Sequence, residues 1–357
     1  MLKPRSLIAG LSPYRSPIIS RDGLSLDLNE SMAGCSPRVL ARLRSLSASD
    51  LSFYPQREIG ERIVANFLGV VPEQVLLTNG MDDALSLLFT AYLGATDNEE
   101  GNELLFADPT FVMYPMLGEA LGAQMVRVQS GEDLAIPVAD MLAGISARTR
   151  LVAIANPNNP TGLKAAPADL LRIVQSAPDA AVLIDEAYFE FCGETLIDAL
   201  AQHPNLFVAR TFSKAYGLAG LRLGVVIGAA EQIEYMRRLS VPFNVNSVAL
   251  ACLEAALEDQ AFVQEHVAEV KEGRERLQRL FDKLGLRFWP SQTNFVLVRV
   301  GPTAKTFVES MQRRGIVVRD ASANPGCDGC VRITVGTPSQ MDGVLCSIRE
   351  TIAEMRV

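Results

Sequence analysis

The chain has 357 residues, of which 48% are hydrophobic and 21% charged, and its formal net charge is −8. That length accommodates one large core with a smaller lobe beside it. The acidic balance argues against a nucleic-acid partner, whose phosphates are met by clustered Lys and Arg. The longest apolar runs are strand-sized rather than membrane-sized, so no membrane association is expected. The apolar start of the chain is cut short by Pro13, and no secretory signal is read there. Six scattered cysteines suit reduced thiols, and a cytoplasmic location is expected. Cys327 and Cys330 form a Cys-x-x-Cys, but no second ligand pair has matching spacing, so no metal is assigned.

In chain order, residues 1–45 are rich in Pro, Ser and Arg with little periodicity. They read as an N-terminal arm or as part of a small domain. Aliphatic and β-branched runs then alternate with amphipathic stretches, the signature of βα units around a mainly parallel sheet sandwiched by helices. Strands are expected at 75–77, 103–106, 125–128, 151–154, 182–184, 206–208 and 223–227, giving a large α/β domain over 46–245. After Val245 a long helical region, about 247–284, is followed by short strands at 287–288, 295–300, 316–319 and 331–335. That tail forms a smaller α+β C-terminal domain over 246–357.

Four clusters each fall just after an expected strand, where open α/β sheets place their ligands. In Thr78-Asn79-Gly80-Met81-Asp82, Gly80 permits a tight turn into a helix whose free amides favour a phosphate, although Asp82 also serves as an ordinary helix-start acid. Asn156-Pro157-Asn158-Asn159-Pro160-Thr161-Gly162 fixes a turn that presents Asn159, and a plain turn is the alternative. In Asp185-Glu186-Ala187-Tyr188 the acid ends an apolar strand and needs a cationic or N–H partner, or acts as a helix cap. In the fourth cluster, Arg210 to Gly224, Lys214 lies among small and apolar residues beside the hydroxyls of Thr211 and Ser213. Burial there lowers a lysine toward the neutral amine that attacks an aldehyde, and Arg222 supplies a fork for phosphate.

Asn-Pro-Asn-Asn-Pro-Thr-Gly, Asp-Glu-Ala-Tyr and Arg-Thr-Phe-Ser-Lys with Arg222 beyond it occur in an order that resembles the fold-type-I, pyridoxal-phosphate-dependent aminotransferases of class I/II, over essentially the whole chain. Within them the chain looks most like the histidinol-phosphate aminotransferases, on Arg-Thr-Phe-Ser-Lys, Leu-Ser-Pro-Tyr and Val-Arg-Ile-Thr-Val-Gly. The resemblance implies that Lys214 holds pyridoxal 5'-phosphate as a Schiff base and moves the substrate proton. It implies that Asp185 pairs with the pyridinium nitrogen, and that Asn159 and Tyr188 bond the ring oxygen. Gly80, Met81, Asp82, Thr211, Ser213 and Arg222 would meet the phosphate, while Phe111 would stack on the ring or simply be a core aromatic. Arg332 would bind the substrate carboxylate; Tyr14 and Arg319 match contacts to a distal phosphate, and each also reads as a surface residue. Tyr54 would reach a neighbour's phosphate across a homodimer, or pack beside a turn.

The partners so implied are an amino donor, histidinol phosphate, and a 2-oxo acid acceptor. Asn29-Glu30-Ser31-Met32-Ala33-Gly34-Cys35 departs from the family's usual pocket segment and bears on substrate choice. Three other readings stand beside this one. A threonine-phosphate-type decarboxylase would carry the same cofactor residues, an aminotransferase for aromatic amino acids would not use Tyr14 and Arg319, and a non-catalytic regulator would not need the full cofactor set. No Gly-x-Gly-x-x-Gly follows the first strand, and His203 and His266 form no hydrolase triad.

Overall fold

A computed structural model describes residue 2 and residues 6–13, 23–94 and 101–356. Tyr14 lies outside the described residues. A short strand, β1 (Leu24–Leu26), comes first. The large sheet follows, with β2 (Val75–Thr78), β3 (Glu103–Asp108), β4 (Gln124–Gln129), β5 (Thr149–Ala155), β6 (Ala181–Asp185), β7 (Leu206–Thr211) and β8 (Gly224–Gly228). Their spatial order is β2-β8-β7-β6-β5-β3-β4, and β8 alone runs antiparallel to its neighbours. The sheet is thus mainly parallel. Its central strands β6 and β7 are buried along their whole length and β5 at every residue but Arg150, because helices cover both faces and leave no polar side.

A four-stranded sheet is built from β1 with β9 (Phe295–Arg299), β10 (Ile316–Asp320) and β11 (Cys330–Thr334), in the order β1-β10-β11-β9. The pairing of β1 with β10 is parallel, Leu24 opposite Ile316, so part of the unpatterned N-terminal stretch belongs to this sheet. The helical region after Val245 is two helices, Ser247–Glu258 and Gln260–Leu284, broken at Asp259. The expected strand at 287–288 is reduced to a single bridge, Phe288 to Val298. In the large sheet β2, β3, β6 and β7 run one to three residues past the expected ends. The β2, β3, β6 and β7 strands end on buried Thr78, Asp108, Asp185 and Thr211.

Candidate active site

The cavity lies over the C-terminal ends of the parallel strands, faces the small sheet and has a volume of about 970 Å³, the size of a cofactor-and-substrate site. On its floor is Asp185, 3% exposed. Its Oδ2 accepts a hydrogen bond from the Tyr114 hydroxyl (2.8 Å) and its Oδ1 one from the Ala187 amide (3.0 Å). Burial pushes this carboxyl up to about 6, against the pull of those two donors. Each oxygen keeps a further lone pair, so the group can also receive a cationic N–H.

Lys214 follows β7, and its Nζ donates to the Leu28 carbonyl at 3.1 Å. Desolvation first, then the positive charge of Arg332, brings it down to about 8. The hydroxyls of Thr211 and Ser213, 3.0 Å apart, lie beneath it. At the other side Gly80 caps the helix Met81–Tyr92 with φ +82°, a conformation that favours glycine. A Cβ there would lie 2.5 Å from an Arg222 nitrogen, so the missing side chain is what lets Arg222 lie against the helix N-terminus. Arg222 itself has φ +54° and pairs with Asp82 at 3.2 Å. Asp82 and Met81 line the same corner.

The opposite wall comes from the small sheet. Arg332 on β11 donates to Asn159 Oδ1 (2.5 Å) and to the Asp27 carbonyl (2.6 Å), with its guanidinium 5.3 Å from the Phe295 ring centre. Arg319 on β10 is its cross-strand partner and lines the cavity too. The Tyr188 hydroxyl accepts from Asn29 Nδ2 at 2.8 Å and is pushed up to about 12 by burial. Phe111 lines the cavity and meets Tyr114 edge-on at 5.9 Å between centres.

Met81, Asp82, Phe111, Asn159, Asp185, Tyr188, Thr211, Ser213, Lys214, Arg222, Arg319 and Arg332 therefore share one cavity. Tyr54 does not reach it: the ring is 78% exposed and stacks on Phe243 at 4.3 Å. Two contributors escape sequence reasoning. Tyr114 is a wholly buried tyrosine with no local pattern around it. The Leu28 carbonyl carries no side-chain signal at all. Asn29, in the segment that the resemblance already assigns to the pocket, is held at φ +55°, a conformation Asn tolerates better than most residues.

Residues 21–348 match the family described as aminotransferase class I and II, and the chain belongs to that family. It is accordingly a pyridoxal-phosphate-dependent transferase of amino groups. A histidinol-phosphate aminotransferase 2 of Pseudomonas fluorescens is 38% identical to it, over 92% of this chain and 89% of the relative. A crystal structure of histidinol-phosphate aminotransferase from Sinorhizobium meliloti in complex with pyridoxal-5'-phosphate superposes with a TM-score of 0.90, at 26% identity and 99% coverage of both chains. An L-threonine-O-3-phosphate decarboxylase from Porphyromonas gingivalis shares the fold, with a TM-score of 0.80, 22% identity and coverage of 92% of this chain and 99% of that one.

The residues fit pyridoxal phosphate on structural grounds. A buried carboxylate with spare acceptor capacity, an amine shifted toward its neutral form and an arginine laid against a helix N-terminus match a pyridinium nitrogen, an aldehyde and a phosphate.

Proposed function

We propose that this enzyme transfers the amino group of histidinol phosphate to 2-oxoglutarate, giving imidazole acetol phosphate and glutamate. The observation that carries the reading is the register of β10 and β11, which sets Arg319 directly across from Arg332 on the wall facing Lys214. Two guanidinium forks side by side suit substrates that present a carboxylate or a phosphate ester. The names of the relatives agree with that choice.

Lys214 would anchor the cofactor, Asp185 would meet the ring nitrogen, and Asn159 and Tyr188 would bond the ring oxygen. Gly80, Met81 and Asp82 would offer backbone to the phosphate, with Thr211, Ser213 and Arg222 as side-chain partners, and Phe111 would cover the ring. Pyridoxal phosphate supplies an aldehyde that captures the amine and a protonated ring that takes up the electrons left when Cα loses its proton. Asp185, ionised above about pH 6, keeps that ring nitrogen protonated. Lys214 Nζ, neutral above about pH 8, accepts the Cα proton and returns it one carbon away. Arg332 orients the α-carboxylate of glutamate; its bonds to Asn159 and Asp27 hold the fork in place before substrate arrives. Arg319 takes the distal phosphate, and Tyr14 is its proposed companion.

A second copy completes the site. The stacked Tyr54 and Phe243, together with Phe53 and Val241, form an exposed apolar patch suited to a homodimer in which Tyr54 reaches the neighbour's phosphate. The cytoplasm, with its pools of 2-oxo acids, is the compartment that suits the reaction. Among the described residues no helix is long and apolar enough to cross a membrane.

The test is to mix the cofactor-loaded protein with histidinol phosphate, follow the visible cofactor band, and assay glutamate formed from 2-oxoglutarate. Loss of the band with formation of glutamate is the expected result, with no CO₂ released from threonine O-phosphate offered in parallel. Release of CO₂ from threonine O-phosphate makes the enzyme a decarboxylase, and inertness toward phosphorylated amines while aromatic amino acids react removes the substrate assignment.

A further inference from the structure

The strap formed by residues 27–36 joins β1 to the helix Pro37–Arg44 and touches three groups of the site. Its Leu28 carbonyl receives Lys214, its Asn29 side chain donates to Tyr188, and its Asp27 carbonyl receives Arg332. Leu28, Asn29, Glu30, Ser31 and Met32 line the cavity. The first part of the strap is pinned from the small sheet. The Asn29 amide donates to Thr334 Oγ1 (3.1 Å) and its carbonyl accepts from Asn294 (3.0 Å). The end is pinned by Ser36 on Asp259.

Between those pins the chain turns at Ser31–Gly34, and Gly34 has φ +75°. This turn is where the sequence departs from the family pattern. Among the described residues, one hydrogen bond ties it to another element, between Ser31 Oγ and His266 Nε2 at 3.2 Å. The turn also abuts the loop that carries Lys214: a Cβ on Gly217 would lie 1.8 Å from the Gly34 carbonyl oxygen. Movement of the turn is therefore felt on both the substrate wall and the lysine loop.

His266, on the helix Gln260–Leu284, is 5% exposed and packs between Phe191 and Phe262, with ring centres 6.3 and 6.5 Å away. The Ser31 hydroxyl has one proton, and it goes to the Gly34 carbonyl at 3.1 Å, which closes the turn. Ser31 Oγ is then left to accept, and only an Nε2–H tautomer of His266 can donate to it. Nδ1 has no hydrogen-bond partner among the described residues. A second proton on the ring would be buried among aromatics, and burial accordingly lowers the affinity of His266 for it.

We propose that His266 is a positioning residue: as the neutral Nε2–H tautomer it donates to Ser31, holds the 31–34 turn in place, and so sets how tightly the cavity takes its amino donor. This rests on the reading above that histidinol phosphate is the amino donor taken up in the cavity, which the strap lines. Nothing in the reaction itself requires a histidine there; a donor at the Nε2 position suffices. Glutamine supplies one on a side chain of similar reach, whereas leucine fills the volume without a donor.

Two readouts test this, one of them independent of any substrate. In hydrogen–deuterium exchange of the full-length cofactor-loaded protein, the peptide covering 28–35 is expected to exchange faster in His266→Leu and in Ser31→Ala than in the parent, and to return to parental rates in His266→Gln. In steady-state assays with histidinol phosphate and 2-oxoglutarate, His266→Leu is expected to raise KM for the donor about three- to ten-fold. The same variant should keep kcat within about twofold, as loss of uniform binding requires. The double variant His266→Leu/Ser31→Ala is expected to be no worse than either single one, because both break the same bond.

Unchanged exchange at 28–35 in both single variants, or additive KM effects, overturns the proposal. So does a ring-nitrogen NMR spectrum that assigns His266 an Nδ1–H tautomer, a clean measurement in a chain with two histidines. A parent enzyme inert toward histidinol phosphate removes the substrate reading instead and leaves the exchange comparison to decide the role of His266.

Discussion

The two walls of the cavity are built on different principles. The floor around Asp185, Thr211 and Ser213 is made from the ends of strands in the large sheet, where neighbouring residues in sequence are neighbours in the site. Its groups are buried and, apart from the Tyr114 hydroxyl on Asp185 and the Leu28 carbonyl on Lys214, hydrogen-bonded within short loops. The wall around Arg332 is assembled from distant segments: β11 supplies the guanidinium, the 27–36 strap a carbonyl, and the turn after β5 the Asn159 amide. A permanent cofactor can be held by a rigid floor, while a substrate that comes and goes is met by a wall whose parts come from separately packed elements.

Substitutions on the two walls should therefore fail in different ways, and the largest failure belongs to the floor. Lys214→Ala is expected to lower kcat by about 10⁴-fold or more, since anchoring and proton transfer are lost together. A variant retaining a tenth of parental kcat in a single-turnover assay breaks the scheme. Asp185→Asn keeps the shape but removes the charge that stabilises a protonated ring nitrogen. A fall in kcat of about 10²- to 10³-fold is expected, with cofactor absorbance shifted and donor KM nearly unchanged.

On the other wall, Arg332→Lys replaces a planar fork by a point charge that cannot serve Asn159, Asp27 and a carboxylate at once. Glutamate KM is expected to rise about ten- to a hundred-fold with cofactor affinity within about twofold, so equal losses in both would erase the distinction between the walls.

Smallest is Tyr114→Phe, which takes one donor from Asp185. That donor lowers the carboxyl's proton affinity, so its removal raises it further above the parental value of about 6. The rate at which cofactor-free protein captures pyridoxal phosphate should rise with pH as Asp185 ionises near 6 and again as Lys214 loses its proton near 8. In Tyr114→Phe only the lower rise should move, toward higher pH, with a loss of about three- to ten-fold near pH 6. A shifted upper rise would mean the hydroxyl acts on Lys214 instead.

The contrast between the walls also explains what was legible in the sequence. Each floor motif is contiguous, so Asp185, Ser213, Lys214 and Arg222 stand out by residue type after an apolar strand. The apolar pattern ended the strands early, because their final residues are polar: Thr78, Asp108, Asp185 and Thr211 are buried and lie beyond the last aliphatic residue, and Asp185 and Thr211 line the site. On the opposite wall, Arg332 reads as an arginine in an apolar strand, but its partners do not. β1 is three residues long and exists through pairing with β10, nearly three hundred positions away. The Leu28 carbonyl, Asn29 and Tyr114 act through contacts of long sequence separation, which no window of local periodicity contains. Tyr54, set apart on an exposed patch, is a residue whose role depends on a second chain.

The most direct test of the account is to reduce the cofactor-loaded protein with borohydride and map the modified peptide by mass spectrometry. The prediction is one pyridoxyl group per chain, on Lys214; a label on any other lysine, or no covalent label with the cofactor still bound, contradicts it.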